Sequence, residues 1–467
     1  MPGSSEGSPG ERGRVVSFDA LLLVVLFLAR VRIDTLTDLV APRPEATVRH
    51  LPLIGGLLSQ QAWDLMRNWL TDPISLLLIT LAFTLLACYL LTDALRSRLG
   101  RDLTYRLKLG LLLAIIASTV FAQSGFLILM RHATGPASFT HDGGVIQTEA
   151  ATEMFLSGRN PYAENYLNTP LADWGLEKRT ALYHYPYLPW TFVASAPAML
   201  ASDWALGWWD ERFLYLVLFA LSLALLPGLA GNREDALLLV GIYGLNPIMG
   251  NDVIFGMNDS FVLAWAVLAL WLARRERYGL ASLAMGLAWA SKSTAWFFAP
   301  FYLAYLAQGR GGWRQRLQLL WQRLWPALAV MAILVLPYVA WNPGAFYDDI
   351  WAWSAGTSAT SYQIRGWGLS NLVLALGLVP NDQAYFPFWP AEVAVCLPIL
   401  LATLRLQWRH NDLGHLCFGA AALFGGYSFV SRFFNENYAG LILTLLALAA
   451  LAGGVGERMR MDADRRR

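Results

Sequence analysis

Leu109-Gly-Leu-Leu-Leu-Ala-Ile-Ile-Ala-Ser-Thr-Val-Phe-Ala-Gln-Ser-Gly-Phe-Leu-Ile-Leu-Met130 runs without a formal charge between Lys108 and Arg131. About 20 such residues, wound as a helix, cross the roughly 30 Å of hydrocarbon in a bilayer. Comparable runs recur at 15–31, 73–92, 187–202, 213–229, 236–250, 260–273, 279–291, 294–307, 324–341, 391–407, 413–431 and 438–455. Over 467 residues, 56% are hydrophobic and only 15% charged, against about 25% charged in soluble domains. Mean hydropathy is +0.42. So little charge cannot cover a water-soluble globule of this size. The expectation is an all-α polytopic transmembrane bundle of about 11 to 13 spans, with short helices in its outer loops.

Arg and Lys in short loops set orientation. They gather at Arg96, Arg98, Arg101, Arg106 and Lys108, at Arg274, Arg275 and Arg277, and at Arg310, Arg314, Arg316 and Arg323. Arg405, Arg409 and the tail 458–467 complete the set. These loops are expected to be cytoplasmic, which places 131–186, 342–370 and 431–437 outside. The chain divides into a disordered N-terminus (1–14), two N-terminal helices (15–106), a core (107–341), a second outer loop with C-terminal helices (342–457) and the basic tail. The first apolar run lacks a clear small-residue cleavage site and is expected to be a retained helix. Between 187 and 273 there is one candidate span too many for alternation. Either 187–202 or 236–250, broken by Pro197 and Pro247, is therefore expected to be re-entrant or interfacial. Irregular backbone at membrane depth survives only where it lines a cavity or is buried in protein.

Net charge is +2, and no basic run resembles a nucleic-acid footprint. Cys88, Cys396 and Cys417 sit inside apolar runs without ligand or redox spacing and read as core residues. There is no Walker loop, dinucleotide fingerprint, HExxH or GxSxG. No metal cluster is evident in the sequence.

Polar chemistry concentrates in the outer loops. In Phe139-Thr-His-Asp-Gly-Gly-Val-Ile-Gln-Thr-Glu-Ala150, Asp142 stands beside His141 at the start of a helical pattern. It is either an N-cap carboxylate or a general base at the membrane–water interface. Glu149 and Glu153 share a helix face and are either solvated or substrate-binding. Tyr162 lies in a Pro-directed turn. His184 and Tyr185 belong to an aromatic entry, Tyr183 to Trp190, suited to interface anchoring or to stacking on a sugar. Lys292, one of three lysines, is costly in its apolar run unless paired. Its partner is either an intramembrane carboxylate such as Asp259, beside Asn258, or a lipid-linked phosphate. Arg365 and Arg432, the latter near Glu436, are phosphate forks or headgroup anchors.

Taken in order, Asp142, Gly158-Arg-Asn-Pro-Tyr162, Tyr185 to Pro189, Leu245-Asn-Pro247, Gly256-Met-Asn-Asp259 and Lys292 resemble the glycosyltransferase-C superfamily. Within it they are most similar to glycosyltransferase family 87, the polyprenol-phosphate-dependent mannosyltransferases. The resemblance covers about Leu107 to Tyr438. Met257 stands where the family often has Gln, and Tyr187 where it has a second Pro. It implies an inverting transferase of a bacterial inner membrane with its site on the extracytoplasmic face. Asp142 would be the base, and Lys292, Arg365 and Arg432 would neutralise the donor phosphate. His141, Glu149, Tyr162, His184, Tyr185, Asn258, Asp259 and Glu436 would be substrate-binding. The sugar, mannose by resemblance, would pass from a polyprenyl-phosphate co-substrate to a lipid or glycan acceptor. No other cofactor, no metal and no nucleic-acid partner is expected. A multispan transporter or flippase is the alternative, since it too would carry broken helices and buried charges; a non-catalytic scaffold is a third reading.

Overall fold

The computed structural model describes residues 16–40, 43–66, 72–175, 179–308 and 312–452. The expected N-terminal segment 1–14, Arg310 and the basic tail 458–467 lie outside the described residues. The chain is 75% helical. Its two strands among the described residues, Arg365–Gly366 and Phe433–Phe434, pair in parallel. Among the described residues, five helices are long and apolar enough to cross a membrane: Pro73–Ala94, Arg101–Thr134, Trp313–Trp341, Trp389–Arg409 and Leu413–Val430. Arg233–Leu245 and Pro247–Phe255 qualify as a sixth, bent by 49°.

Local chemistry explains these elements. Pro73 opens its helix with a preset φ and no amide to satisfy, while Asp72 Oδ1 accepts from the Ile74 and Ser75 amides at 2.9 Å. The bend follows from Pro247, which cannot continue the preceding helix; Asn246 recaps the new one through the Ile248 amide at 3.0 Å. Trp313–Trp341 exposes Trp313, Trp321, Trp325, Ile333, Leu336 and Trp341, an apolar face with aromatic ends that suits lipid.

One end of the bundle carries Arg96, Arg98, Arg101, Arg274, Arg323 and Arg405. There Lys108 Nζ lies 2.8 Å from Asp93 and reaches Asp19 on the first helix, tying three helices together. The opposite end carries the long loops. The helix Trp190–Leu206 starts at that end, where the Trp190 amide donates to Ala290 O at 2.9 Å. It finishes there too, where Trp208 stacks on His132 at 4.2 Å. It is not among the helices long and apolar enough to cross, and it exposes Leu200, Trp204 and Leu206. Of the two segments expected to be irregular, 236–250 falls on the bent pair, which is either a broken span or a re-entrant loop.

Candidate functional site

Asp142 opens a widened helical turn, Asp142–Gln147, that runs into Thr148–Leu156. Such π-type turns recur at functional sites. Its Oδ1 lies 2.9 Å from His141 Nδ1 and accepts the Gly143 amide at 2.6 Å. Burial opposes the charge, but His141 and the backbone N–H groups outweigh it and hold the carboxyl below the usual aspartate value. The side chain keeps 24% of its surface open. Asp142 is thus an ionised, solvent-reached carboxylate whose own oxygen meets the Gly143 amide in the first turn of the helix it opens.

The two glycines after it are required by close approach. A Cβ on Gly144 would lie 2.0 Å from Gly256 O, and one on Gly143 would lie 2.5 Å from the Tyr187 hydroxyl. The loop therefore rests on the turn that leaves the bent pair, and the His141 amide donates to Phe255 O at 2.8 Å.

That turn delivers Asn258 and Asp259. Lys292 reaches both, at 2.9 Å to Asn258 Oδ1 and 2.8 Å to Asp259 Oδ1, while Asn437 donates to the other Asp259 oxygen. Lys292 sits in extended backbone (φ −157°) between the helix Tyr278–Trp289 and the tight turn Ser293–Phe298. This break is held by Leu188 and Trp190, whose amides donate to Ser291 O and Ala290 O, each at 2.9 Å. The same segment places the Tyr187 ring 5.6 Å from Lys292 Nζ. Tyr187 thus borders Lys292 with its ring and Gly143, the neighbour of Asp142, with its hydroxyl. Around Lys292, Asp252 Oδ2, Asn258 Nδ2, Thr294 Oγ1 and Asn437 Oδ1 are buried without a protein hydrogen-bond partner, which is uncommon. They can bond a polar ligand or water.

The remaining candidates separate into distinct environments. Arg365 is exposed beside the Tyr362 phenol, which also feels Asp142. Arg432 is buried, with Nε donating to Tyr362 O at 2.6 Å and its Nη atoms to Ala384 O at 2.9 Å and Gln383 O at 3.0 Å. Burial draws its pKa down to about 10. Its fork is committed to main-chain carbonyls, so it braces the long loops and does not offer itself to phosphate. Tyr162 and Tyr185 are core, not platform. Both are buried, with Phe192 and Tyr338, in an aromatic cluster, and Tyr162 Oη donates to Tyr187 O at 2.7 Å. His184 pairs with Asp349 at 2.8 Å. Glu436 is exposed at the start of its helix.

Glu149 faces a different cavity, of about 290 Å³, with Glu153, Asp203, Trp208 and Trp209. Its carboxylate is held by Arg131 at 2.6 Å. Arg131 also meets Asp210 at 2.9 Å, and Arg212 grips Asp210 through Nε and Nη2 at 2.8 and 2.7 Å. Arg212 Nη1 then donates to Phe139 O at 2.9 Å, which ties this balanced set of two cations and two anions to the Asp142 loop. Sequence reading passed over Arg131, Asp210 and Arg212. The available signal was that each borders an apolar run.

No family model, curated protein or solved structure matches the chain.

Proposed function

We propose that the chain is a membrane glycosyltransferase that moves a hexose, mannose by resemblance, from a polyprenyl-phosphate donor to an acceptor hydroxyl at the long-loop end, on the extracytoplasmic side. The observation that supports this reading is that one side chain, Tyr187, meets Lys292 with its ring at 5.6 Å and abuts Gly143, the neighbour of Asp142, with its hydroxyl. A water-reached carboxylate and a cation in a helix break thus border the same tyrosine. An acceptor bound beside Asp142 would give up its hydroxyl proton to the carboxylate as the oxygen attacks the anomeric carbon. The bond from that carbon to the phosphate oxygen breaks, and its electron pair leaves on the phosphate. Lys292, with Arg365 at the rim, would stabilise that charge. Direct displacement inverts the anomeric centre. Asn258 and Asp259 position the Lys292 ammonium.

The test is incubation of purified protein with radiolabelled polyprenyl-phosphate sugars and a membrane-lipid extract. Label appearing in a new lipid or glycan supports the reading. Turnover with a nucleotide sugar and no lipid intermediate overturns the donor class. The transporter reading rests on two helix breaks meeting at an ion pair; it predicts movement of an unmodified substrate across vesicles and no transfer.

A further inference from the structure

We infer that His184, Asp348 and Asp349 form a binding site for a divalent transition-metal ion, separate from the Asp142–Lys292 site. The residues come from the two long loops, 165 positions apart for His184 and Asp349. One nitrogen of His184 and one oxygen of each aspartate lie within 4.8 Å of one another. His184 Nδ1 is 2.8 Å from Asp349 Oδ1 and 3.5 Å from Asp348 Oδ2.

The donor set selects the class of ion. An imidazole nitrogen disfavours magnesium and calcium, which take oxygen ligands. One nitrogen with two carboxylate oxygens suits zinc, or manganese more weakly. Three protein ligands leave a fourth position for water, as in open zinc sites. The surrounding contacts resemble those that aim metal ligands. His184 Nε2 is bonded to Thr360 Oγ1 at 2.6 Å. The second Asp349 oxygen accepts the Tyr185 amide at 2.9 Å, and Ser358 donates to Asp348 at 3.1 Å. Each ring and carboxylate is thereby oriented from behind. The site is also closed at the back and open at the front: the His184 and Asp349 side chains are 4% and 3% exposed, while Asp348 is 44% exposed. An ion can enter past Asp348, the open member of the set, and bind between the two carboxylates and the ring.

Occupancy would clamp the second long loop onto His184-Tyr185-Pro186-Tyr187. Tyr187 borders Lys292 and Gly143, so the ion would brace that tyrosine through the chain leading to it. The inference does not depend on the sugar-transfer reading.

The experiment is metal binding by the full-length purified protein after chelator treatment, by calorimetry with zinc chloride, manganese chloride and magnesium chloride. One zinc per chain is expected, with magnesium failing to bind. Asp348→Asn, at an open position that leaves the fold intact, should weaken zinc at least tenfold. It should also abolish the zinc-induced rise in melting temperature. His184→Ala should do the same. Equal zinc binding by wild type and Asp348→Asn would place the ion elsewhere, for example at His415 and Asp412, which are 2.8 Å apart. That result overturns the inference, as does an absence of binding, which leaves His184 and Asp349 as a proton-sharing pair.

Discussion

Lys292 Nζ lies 2.8 Å from Asp259 Oδ1, and the carboxylate is fully buried. The ammonium at the helix break is thus already compensated within the protein. An incoming phosphate must share it with Asp259. Removing one partner of such a pair strands the other charge, which costs about 3–5 kcal/mol.

Lys292→Gln alone is therefore expected to lower the melting temperature in detergent sharply, and Lys292→Gln with Asp259→Asn to recover most of that loss. If Lys292 also serves the donor phosphate, the double variant stays inactive although folded. Restored turnover per folded molecule would show that the pair is structural only. Thermal unfolding and lipid-donor turnover are read on the same preparation.

Asp142→Asn keeps the shape and removes the basicity. Because the asparagine oxygen can still accept the Gly143 amide that Asp142 accepts, the variant should fold as the wild type does. Turnover should drop by about two to four orders of magnitude. Near-normal turnover would falsify the base assignment.

The pH profile carries a separate check. The folded-state pKa of Asp142 is depressed. Its contribution to stability is therefore present above the ordinary carboxylate value of about 3.9 and is lost as pH falls through the lower folded value. The acid limb of turnover should lie below the ordinary carboxylate value, with no loss from this group in the neutral and mildly acidic range. A limb centred near pH 6 would assign the base elsewhere.

Gly144→Ala places a methyl group against the main-chain oxygen of Gly256, at 2.0 Å before relaxation. Backbone must shift, at a cost of typically 1–3 kcal/mol, and the Asp142 loop lifts from the Asn258–Asp259 turn. Folded protein with reduced turnover is expected, measured by thermal unfolding beside transfer assays. Wild-type values in both would show that the loop docking is dispensable.

Arg432→Gln should act on stability and not on donor affinity, because the arginine serves main-chain carbonyls of the long loops. A fall in melting temperature with unchanged KM for the donor is expected. A selective rise in KM would return Arg432 to the phosphate.

The helical membrane architecture was legible because apolar runs and arginine clusters are long-range, redundant signals. The pairing of Lys292 with Asp259 was legible as one of two alternatives, since an ammonium in an apolar run needs a nearby anion. The helix Trp190–Leu206 was harder to place, because a short apolar helix has the composition of one that crosses. Tyr162 and Tyr185 could not be sorted between core and ligand platform, because an aromatic ring suits both. The need for Gly143 and Gly144 was equally hidden, since it arises from Tyr187 and Gly256, far away in the chain.

The Arg131–Glu149–Asp210–Arg212 network has a consequence for the birth of the protein. Arg131 and Asp210 are 79 positions apart, so a nascent chain that stops before Asp210 holds the Arg131–Glu149 pair without the aspartate that joins it to Arg212. Arg212, which grips Phe139 O, has not yet been made either. The contacts that tie the Asp142 loop to this network therefore form only after the next stretch of chain has been synthesised.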